Sequence, residues 1–153
     1  MVKTRMHKWI GLAFLLSFFF LGAAHAQGVC YVSTKNSRLA RDQRDDQRLR
    51  CLKQKKAQIS VAQCLNIAAS MEYSTNAEEA RLVCLYDLRP TLKECFTISK
   101  SMEYPDTGDE ARWECLRRFN KTITTAQCQR IARSMSYPPN AQRANQYCAQ
   151  ELQ

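Results

Sequence analysis

The eight cysteines have the most definite chemistry of any residues in this chain, and their spacing is regular. They stand at positions 30, 51, 64, 84, 95, 115, 128 and 148. No two of them form a Cys-x-x-Cys motif, so the spacing favours neither a zinc knuckle nor a thioredoxin-type redox pair. Both histidines, His7 and His25, lie near the N-terminus, which leaves no imidazole elsewhere for metal binding or acid–base catalysis. We therefore expect disulfides, no metal site and no cofactor.

Residues 1–26 have the pattern of a secretory signal peptide. A basic start, MVKTRMHK, is followed by the apolar run WIGLAFLLSFFFLGA and by the small residues Ala24 and Ala26. The run of 15 residues is shorter than the ~20 that a membrane span needs. We expect cleavage after Ala26, secretion to the periplasm or the extracellular medium, and no membrane span after cleavage; an uncleaved anchor is the alternative. In an oxidising compartment, an even number of cysteines predicts a disulfide framework.

Three segments of the chain repeat the same pattern. They read CLNIAASMEYSTNAEEARLVC, CFTISKSMEYPDTGDEARWEC and CQRIARSMSYPPNAQRANQYC, and they start at Cys64, Cys95 and Cys128, at periods of 31 and 33. The two cysteines of each segment are always 20 positions apart, whereas the gaps between segments are 13, 11 and 13. A fixed interior with variable joints is typical of stacked supersecondary units.

Each repeat has the pattern of an antiparallel helical hairpin. Residues 60–63, 91–94 and 124–127 fit the capping box that starts a first helix. A Ser-Met-x-Tyr turn follows, and cap-like residues Asn76, Thr107 and Asn140 suggest where the second helix begins.

The hairpin predicts how the cysteines pair. Cysteines at equal distances from the turn lie opposite each other, so we predict the bridges Cys30–Cys51, Cys64–Cys84, Cys95–Cys115 and Cys128–Cys148. The alternative pairing, 51–64, 84–95 and 115–128, would leave Cys30 and Cys148 unpaired.

The predicted fold is all-α, a short array of about four disulfide-stapled antiparallel helical hairpins with a repeat period of 31–33. Residues 27–57 form an atypical, basic N-terminal capping hairpin that lacks the Ser-Met-x-Tyr turn. Residues 58–153 contain three Cys-x19-Cys repeats, at 58–89, 90–121 and 122–153. We expect one domain, because a single hairpin of this size buries too little surface to fold alone.

The basic segment 35–56 carries most of the chain's excess positive charge. It has nine Lys or Arg residues and three Asp residues, and such a cluster attracts acidic or phosphate-rich surfaces. The candidate anion-binding residues are Arg48, Arg50, Lys53, Lys55 and Lys56. The ligands would be anionic lipid, lipopolysaccharide or a wall polymer, whereas the lack of interleaved aromatic residues disfavours nucleic acid. The alternative is an ordinary solvated helix with ion pairs such as Arg41–Asp45 and Asp46–Arg50.

Aromatic residues supply the second set of candidate binding residues. Tyr73, Tyr104 and Tyr137 recur in the turn of each repeat and are either turn-packing residues or surface anchors. Trp113 replaces the Leu82 of the preceding repeat, where it either packs between units or serves as an exposed anchor.

The sequence predicts a non-catalytic function. Arrays of helical hairpins commonly hold another macromolecule, so we expect a binding module for another exported or envelope protein. The alternative is an envelope- or polyanion-binding protein that acts through residues 35–56. A small secreted cell-wall hydrolase is the third candidate and would need two acids with separated pKa values. Only Glu72 and Glu103 recur beside aromatic residues, and both lie at turns, so we assign no catalytic residue.

Overall fold

A computed structural model describes Cys30 and residues 39–150. The described residues are helical and contain no β-strand. The helices are α1 (Arg41–Lys55), α2 (Val61–Ala69), α3 (Ser74–Asp87), α4 (Leu92–Ser101), α5 (Pro105–Arg118), α6 (Thr125–Arg133) and α7 (Pro138–Gln150), with a 3-10 turn at Lys56–Gln58. None of the helices in these ranges is both long and apolar enough to cross a bilayer. The predicted signal peptide and most of the first half of the N-terminal hairpin lie outside the described residues.

Four disulfides divide the chain into four units. They join Cys30 to Cys51, Cys64 to Cys84, Cys95 to Cys115 and Cys128 to Cys148, which are the pairs that the spacing predicts. Unit 1 is Cys30 with α1, unit 2 is α2 with α3, unit 3 is α4 with α5, and unit 4 is α6 with α7. Four disulfides are typical of a protein in an oxidising, extracytoplasmic compartment.

Capping boxes start α2, α4 and α6, and this prediction is confirmed. The Ser60 hydroxyl accepts a hydrogen bond from the Gln63 N–H at 3.2 Å, while the Gln63 side chain accepts from the Ser60 N–H at 2.8 Å. Thr91 with Glu94 and Thr124 with Gln127 repeat this arrangement. Each box satisfies two N–H groups that a helix start would otherwise leave without a partner.

The second helix of each repeat begins earlier than predicted. Helices α3, α5 and α7 begin at Ser74, Pro105 and Pro138, so the predicted cap residues lie inside the first helical turn. Proline is favourable at the first helical position, because its missing N–H would have no helical partner there. The residues before α3 and α5, Tyr73 and Tyr104, give no side-chain cap. The turns just before α3 and α7 donate backbone hydrogen bonds to the preceding unit instead.

The core is built largely from cystine and small residues. One cluster joins units 1 to 3 through Leu52, Ala68, Leu85 and Ile98. A second cluster joins units 3 and 4, and the ring of Phe119 packs against both clusters. Helix α1 packs directly against α3, α3 against α4, and α5 against α6, so successive units stack in chain order.

Candidate functional site

A buried acid stands on the second helix of each of the first three units. The three acids are Asp45, Glu78 and Asp109, each six residues before the second cysteine of its unit and each followed three positions later by an arginine. Every one of them accepts hydrogen bonds from the turn of the following unit. We call this arrangement the carboxylate clasp. The acid-x-x-Arg motif recurs visibly in the sequence, but nothing nearby in the chain marks these acids as buried.

The first clasp joins unit 1 to unit 2. The Asp45 carboxylate accepts from the Glu72 N–H at 2.9 Å and from the Tyr73 N–H at 3.0 Å. It also accepts from the Asn76 side-chain amide at 3.4 Å and from Arg48 at 2.8 Å. Both backbone donors belong to the turn just before α3. An acid in one unit therefore holds the turn of the next.

The third clasp reproduces the first between units 3 and 4. The Asp109 carboxylate accepts from the Ser136 N–H at 2.6 Å, from the Tyr137 N–H at 3.0 Å and from the Asn140 amide at 2.9 Å. Arg112 lies 3.1 Å from the same carboxylate. The donors in the two clasps occupy equivalent positions of the repeat, so Asn76 and Asn140 are clasp residues and not helix caps.

The middle clasp makes fewer hydrogen bonds. Glu78 Oε2 accepts from the Glu103 N–H at 3.0 Å, and Arg81 lies 3.3 Å from Glu78 and 2.9 Å from Glu103. Glu78 Oε1 is buried without a hydrogen-bond partner among the described residues. Thr107 stands where the other two turns have asparagine. The second junction therefore satisfies its buried acid less fully than its neighbours do.

Hydrogen bonds keep the two buried aspartates ionised. Burial by itself raises the pKa of Asp45, but the backbone N–H groups of Tyr73 and Glu72, with Arg48 and Asn76, lower that pKa below its ordinary value.

Asp109 follows the same rule. Burial raises its pKa, and Asn140, the backbone N–H groups of Ser136 and Tyr137, and the charge of Arg112 more than offset this rise, so the net shift is downward. A general acid needs a raised pKa, so both aspartates suit structural anchoring.

The three predicted tyrosine anchors lie at the junctions between units. Tyr73, Tyr104 and Tyr137 are 46%, 40% and 46% exposed, and Tyr86 is 47% exposed. The clasps hold the backbone N–H groups of Tyr73 and Tyr137, which fixes where these two rings leave the backbone. Each tyrosine belongs to a different junction.

The predicted anion-binding residues lie on α1 and just after it, and most of them have acidic neighbours. Arg48 is buried against Asp45 and is not accessible to an external ligand. Lys53 lies 2.6 Å from Glu79, and Lys56 lies 2.8 Å from Asp87. Sequence reasoning considered pairs within α1 only, so it missed these two pairs to unit 2.

The remaining basic residues of α1 differ in their surroundings. Arg50 lies 4.0 Å from Asp46, as predicted, and Lys55 is exposed. Arg41 lies 3.4 Å from Glu72 instead of pairing with Asp45. Asp45 does not pair with Arg41, because its carboxylate points toward the turn of unit 2.

Trp113 lies beside an open groove between α5 and α7. The groove has a volume of about 310 Å³ and is lined by Asp106, Glu110, Trp113, Arg117, Tyr137, Asn140 and Arg143. The Arg143 guanidinium lies 4.8 Å from the centre of the Trp113 ring, and the Tyr147 ring meets that indole edge-on at 5.7 Å. Trp113 therefore packs between units 3 and 4 while it borders a surface groove. We call this the α5–α7 groove.

A larger pocket of about 490 Å³ lies among the loops at residues 56–61 and 87–89. Several of its polar groups already bind each other. Lys56 pairs with Asp87, and Glu94 completes the capping box of Thr91. These contacts leave fewer free polar groups here than in the α5–α7 groove.

Neither the metal-binding side chains of the described residues nor comparison with other proteins points to a particular activity. Among Cys30 and residues 39–150, no group of three or more His, Cys, Asp or Glu side chains could hold a metal ion. Comparisons of the chain with protein-family models, with curated proteins and with solved structures find no match. The clasps, the exposed tyrosines and the groove are therefore the features that bear on function.

Proposed function

We propose that the protein is an exported, non-catalytic interaction module, a short array of about four antiparallel helical hairpins that binds another exported or envelope protein. The observation that carries this proposal is the recurrence of an exposed tyrosine directly at each carboxylate clasp. Tyrosine is common among the residues that dominate binding energy at protein interfaces. A surface that is rigid before binding loses less conformational entropy when the partner arrives.

Rigidity at the tyrosine positions comes from contacts on both sides of each junction. The disulfide holds the two halves of a unit, and the clasp holds the turn of one unit against a helix of the preceding one. In the first and third clasps, the tyrosine N–H itself donates to the buried aspartate at 3.0 Å. The ring remains free to contact a partner while its backbone is fixed.

The test is capture of a partner by the oxidised protein from the envelope fraction of its source. A triple variant, Tyr73→Ala with Tyr104→Ala and Tyr137→Ala, should lose the captured protein. The matched control is Tyr86→Ala, because that ring is equally exposed but lies outside the turns. Equal capture by the triple variant, with its helical content unchanged by circular dichroism, would overturn the tyrosine anchors.

An envelope- or polyanion-binding function through residues 35–56 remains the alternative proposal. It is supported by Arg50, whose side chain is 71% exposed, and by the exposed Lys55. Binding of this kind should weaken steeply with added salt and should fall in Arg50→Gln and Lys55→Gln variants. A co-sedimentation assay with anionic lipid vesicles measures both effects.

A hydrolase function gains no support from the repeated acids that the sequence offers. Glu72 accepts a hydrogen bond from Arg44 at 2.8 Å, and Glu103 lies 2.9 Å from Arg81. The two acids belong to the turns of different units, whereas a glycosidase needs two carboxyl groups on either side of one scissile bond.

A further inference from the structure

The α5–α7 groove is open at a place where the first junction is closed. At the first junction, Lys53 stands two residues after Cys51, Glu79 stands five residues before Cys84, and their side chains meet at 2.6 Å. The equivalent residues at the third junction are Arg117 and Arg143. Two cations cannot form that ion pair, and Arg143 stacks on Trp113 instead.

The charges that line the groove are segregated. Asp106 and Glu110 lie nearer the start of α5, while Arg117 lies near its end and Arg143 stacks on Trp113. Glu110 and Arg117 are seven residues apart on one helix, which places them about 10 Å apart along its axis. The groove therefore has a negative end, an aromatic middle and a positive end.

Most of these charged groups have no ion-pair partner within the described part of the chain. No cation lies within ion-pair distance of Asp106 or Glu110, and no acid lies within that distance of Arg143. Arg117 pairs with Glu114 of its own helix, and its side chain is 56% exposed. Charges of both signs are thus free to bind an external ligand.

We propose that the α5–α7 groove binds an extended peptide segment that carries a basic and an acidic side chain about 10 Å apart with apolar residues between them. An extended chain covers that distance in about three residues. The basic side chain would lie against Asp106 and Glu110, the acidic one against Arg117 and Arg143, and the apolar residues against the Trp113 and Tyr137 rings.

Other ligand classes match the groove less well. A polyanion would be repelled by the two carboxylates at one end, and a polycation by the two guanidinium groups at the other. A neutral glycan would leave Asp106, Glu110 and Arg143 without counter-charges. The inference rests on the proposed function, because it names the chemical class of the partner.

The experiment uses blocked, fluorescein-labelled octapeptides whose central residues are Lys-Leu-Pro-Glu. Matched peptides carry two lysines, two glutamates or two glutamines at the same two positions, and a chito-oligosaccharide serves as the glycan probe. Fluorescence anisotropy measures peptide binding to the oxidised protein, and calorimetry measures binding of the glycan. We expect the Lys-Leu-Pro-Glu peptide to bind tightest.

Variants of the groove test the assignment. Arg143→Glu restores the charge that Asp46, Glu79 and Glu110 carry at the equivalent position, so it should fold and pair with Arg117. This variant should bind the mixed-charge peptide about tenfold more weakly. Glu110→Lys should shift the preference toward the peptide with two glutamates. Lys53→Gln alters the residue of the first junction that is equivalent to Arg117, and it should leave the affinity for all four peptides unchanged.

The outcomes are decisive in both directions. The inference is overturned if the four peptides bind equally, if none binds, if Arg143→Glu leaves affinity unchanged, or if the glycan binds in preference to the peptides. A partner captured equally well by the wild-type protein and by Arg143→Glu would leave the proposed function standing and remove the groove from it. If the triple tyrosine variant captures the partner as well as the wild type does, while the peptide preference is intact, the groove stands and the tyrosine anchors are overturned.

Discussion

The first and third junctions share one end and differ at the other. At the turn end, Asp45 and Asp109 accept from the same three donors of the following unit, two backbone N–H groups and one asparagine amide. At the outer end, the first junction has an ion pair between Lys53 and Glu79, whereas the third has the open α5–α7 groove. The hydrogen bonds at the turn end are therefore shared by the two junctions, whereas the contacts at the outer end differ.

The difference between the two ends follows from how much each contact contributes to the stability of the fold. A buried carboxylate must keep its hydrogen bonds, because leaving it unpaired costs several kcal/mol. An exposed ion pair contributes roughly 0–1 kcal/mol, so its residues can change without loss of the fold. Variation at the outer end is what allows one junction to close and another to form a groove.

Unit 4 shows where the clasp stops. Aligned on the cysteines, the position of Asp45, Glu78 and Asp109 is Gln142 in unit 4, and the position of the following arginine is Asn145. Gln142 is exposed, so it serves as a natural control for the clasp residues.

The largest expected effect comes from breaking the third clasp. Asp109→Asn removes the charge that accepts from three donors and leaves Arg112 buried without its partner, which should cost about 3 kcal/mol of unfolding free energy. Urea denaturation of the oxidised protein, followed by circular dichroism, measures the cost. Gln142→Ala should change it by less than about 0.5 kcal/mol. Equal losses in the two variants would show that the clasp adds nothing to stability.

Acid should weaken the first and third junctions together. Asp45 and Asp109 have pKa values below the ordinary 3.8 in the folded protein. Their contribution to stability is complete above that pH, where both states are ionised, and is lost as the pH falls through the lowered folded pKa. Unfolding free energies measured from neutral pH downward should therefore fall below about pH 4. The double variant Asp45→Asn with Asp109→Asn should show a shallower fall; an identical slope would contradict the assignment.

The middle clasp should contribute less than its neighbours. Glu78→Gln keeps an acceptor for the Glu103 N–H, and Glu78 Oε1 already has no hydrogen-bond partner among the described residues. We expect a loss of about 1–2 kcal/mol, smaller than that of Asp45→Asn in the same denaturation assay. A larger loss in Glu78→Gln would mean that the Arg81 contacts, and not the hydrogen bonds to the turn, dominate that junction.

The smallest effects should appear at the outer ends. Lys53→Gln should cost less than about 1 kcal/mol. Arg143→Glu should also change stability by less than about 1 kcal/mol, because an exposed pair with Arg117 replaces the cation–π contact with Trp113. Melting temperatures at low and high salt measure both changes, since screening weakens exposed pairs. A salt-independent loss in Lys53→Gln would show that this side chain stabilises by packing.

Local signals predicted local structure well. The boxes that begin at Ser60, Thr91 and Thr124 each lie within four residues of sequence, so hydrogen-bonding rules were sufficient to place the starts of α2, α4 and α6. The starts of α3 and α7 were misplaced, and the turns just before them are held by acids 27 or 28 positions earlier in the chain. A contact of that kind has no local signature.

The candidate sites show the same limit. The tyrosines were identified by their recurrence, and they are exposed as a surface anchor must be. The basic segment was identified by its charge, but its pairing with Glu79 and Asp87 could not be read from α1 alone. The α5–α7 groove was missed altogether, since it combines α5 residues with a tyrosine, an asparagine and an arginine from unit 4.

The sequence by itself determined the helical class, the disulfide count, the capping boxes and the recurring turns, because each depends on residues close together or on a simple period. Only the tertiary structure decided that Asp45 and Asp109 hold the turn of the next unit, that Lys53 bridges two units and that Arg143 stacks on Trp113. The physical reason is distance along the chain. Hydrogen bonds and ion pairs across a junction depend on how one unit packs against the next, and the pattern within either unit does not contain that geometry.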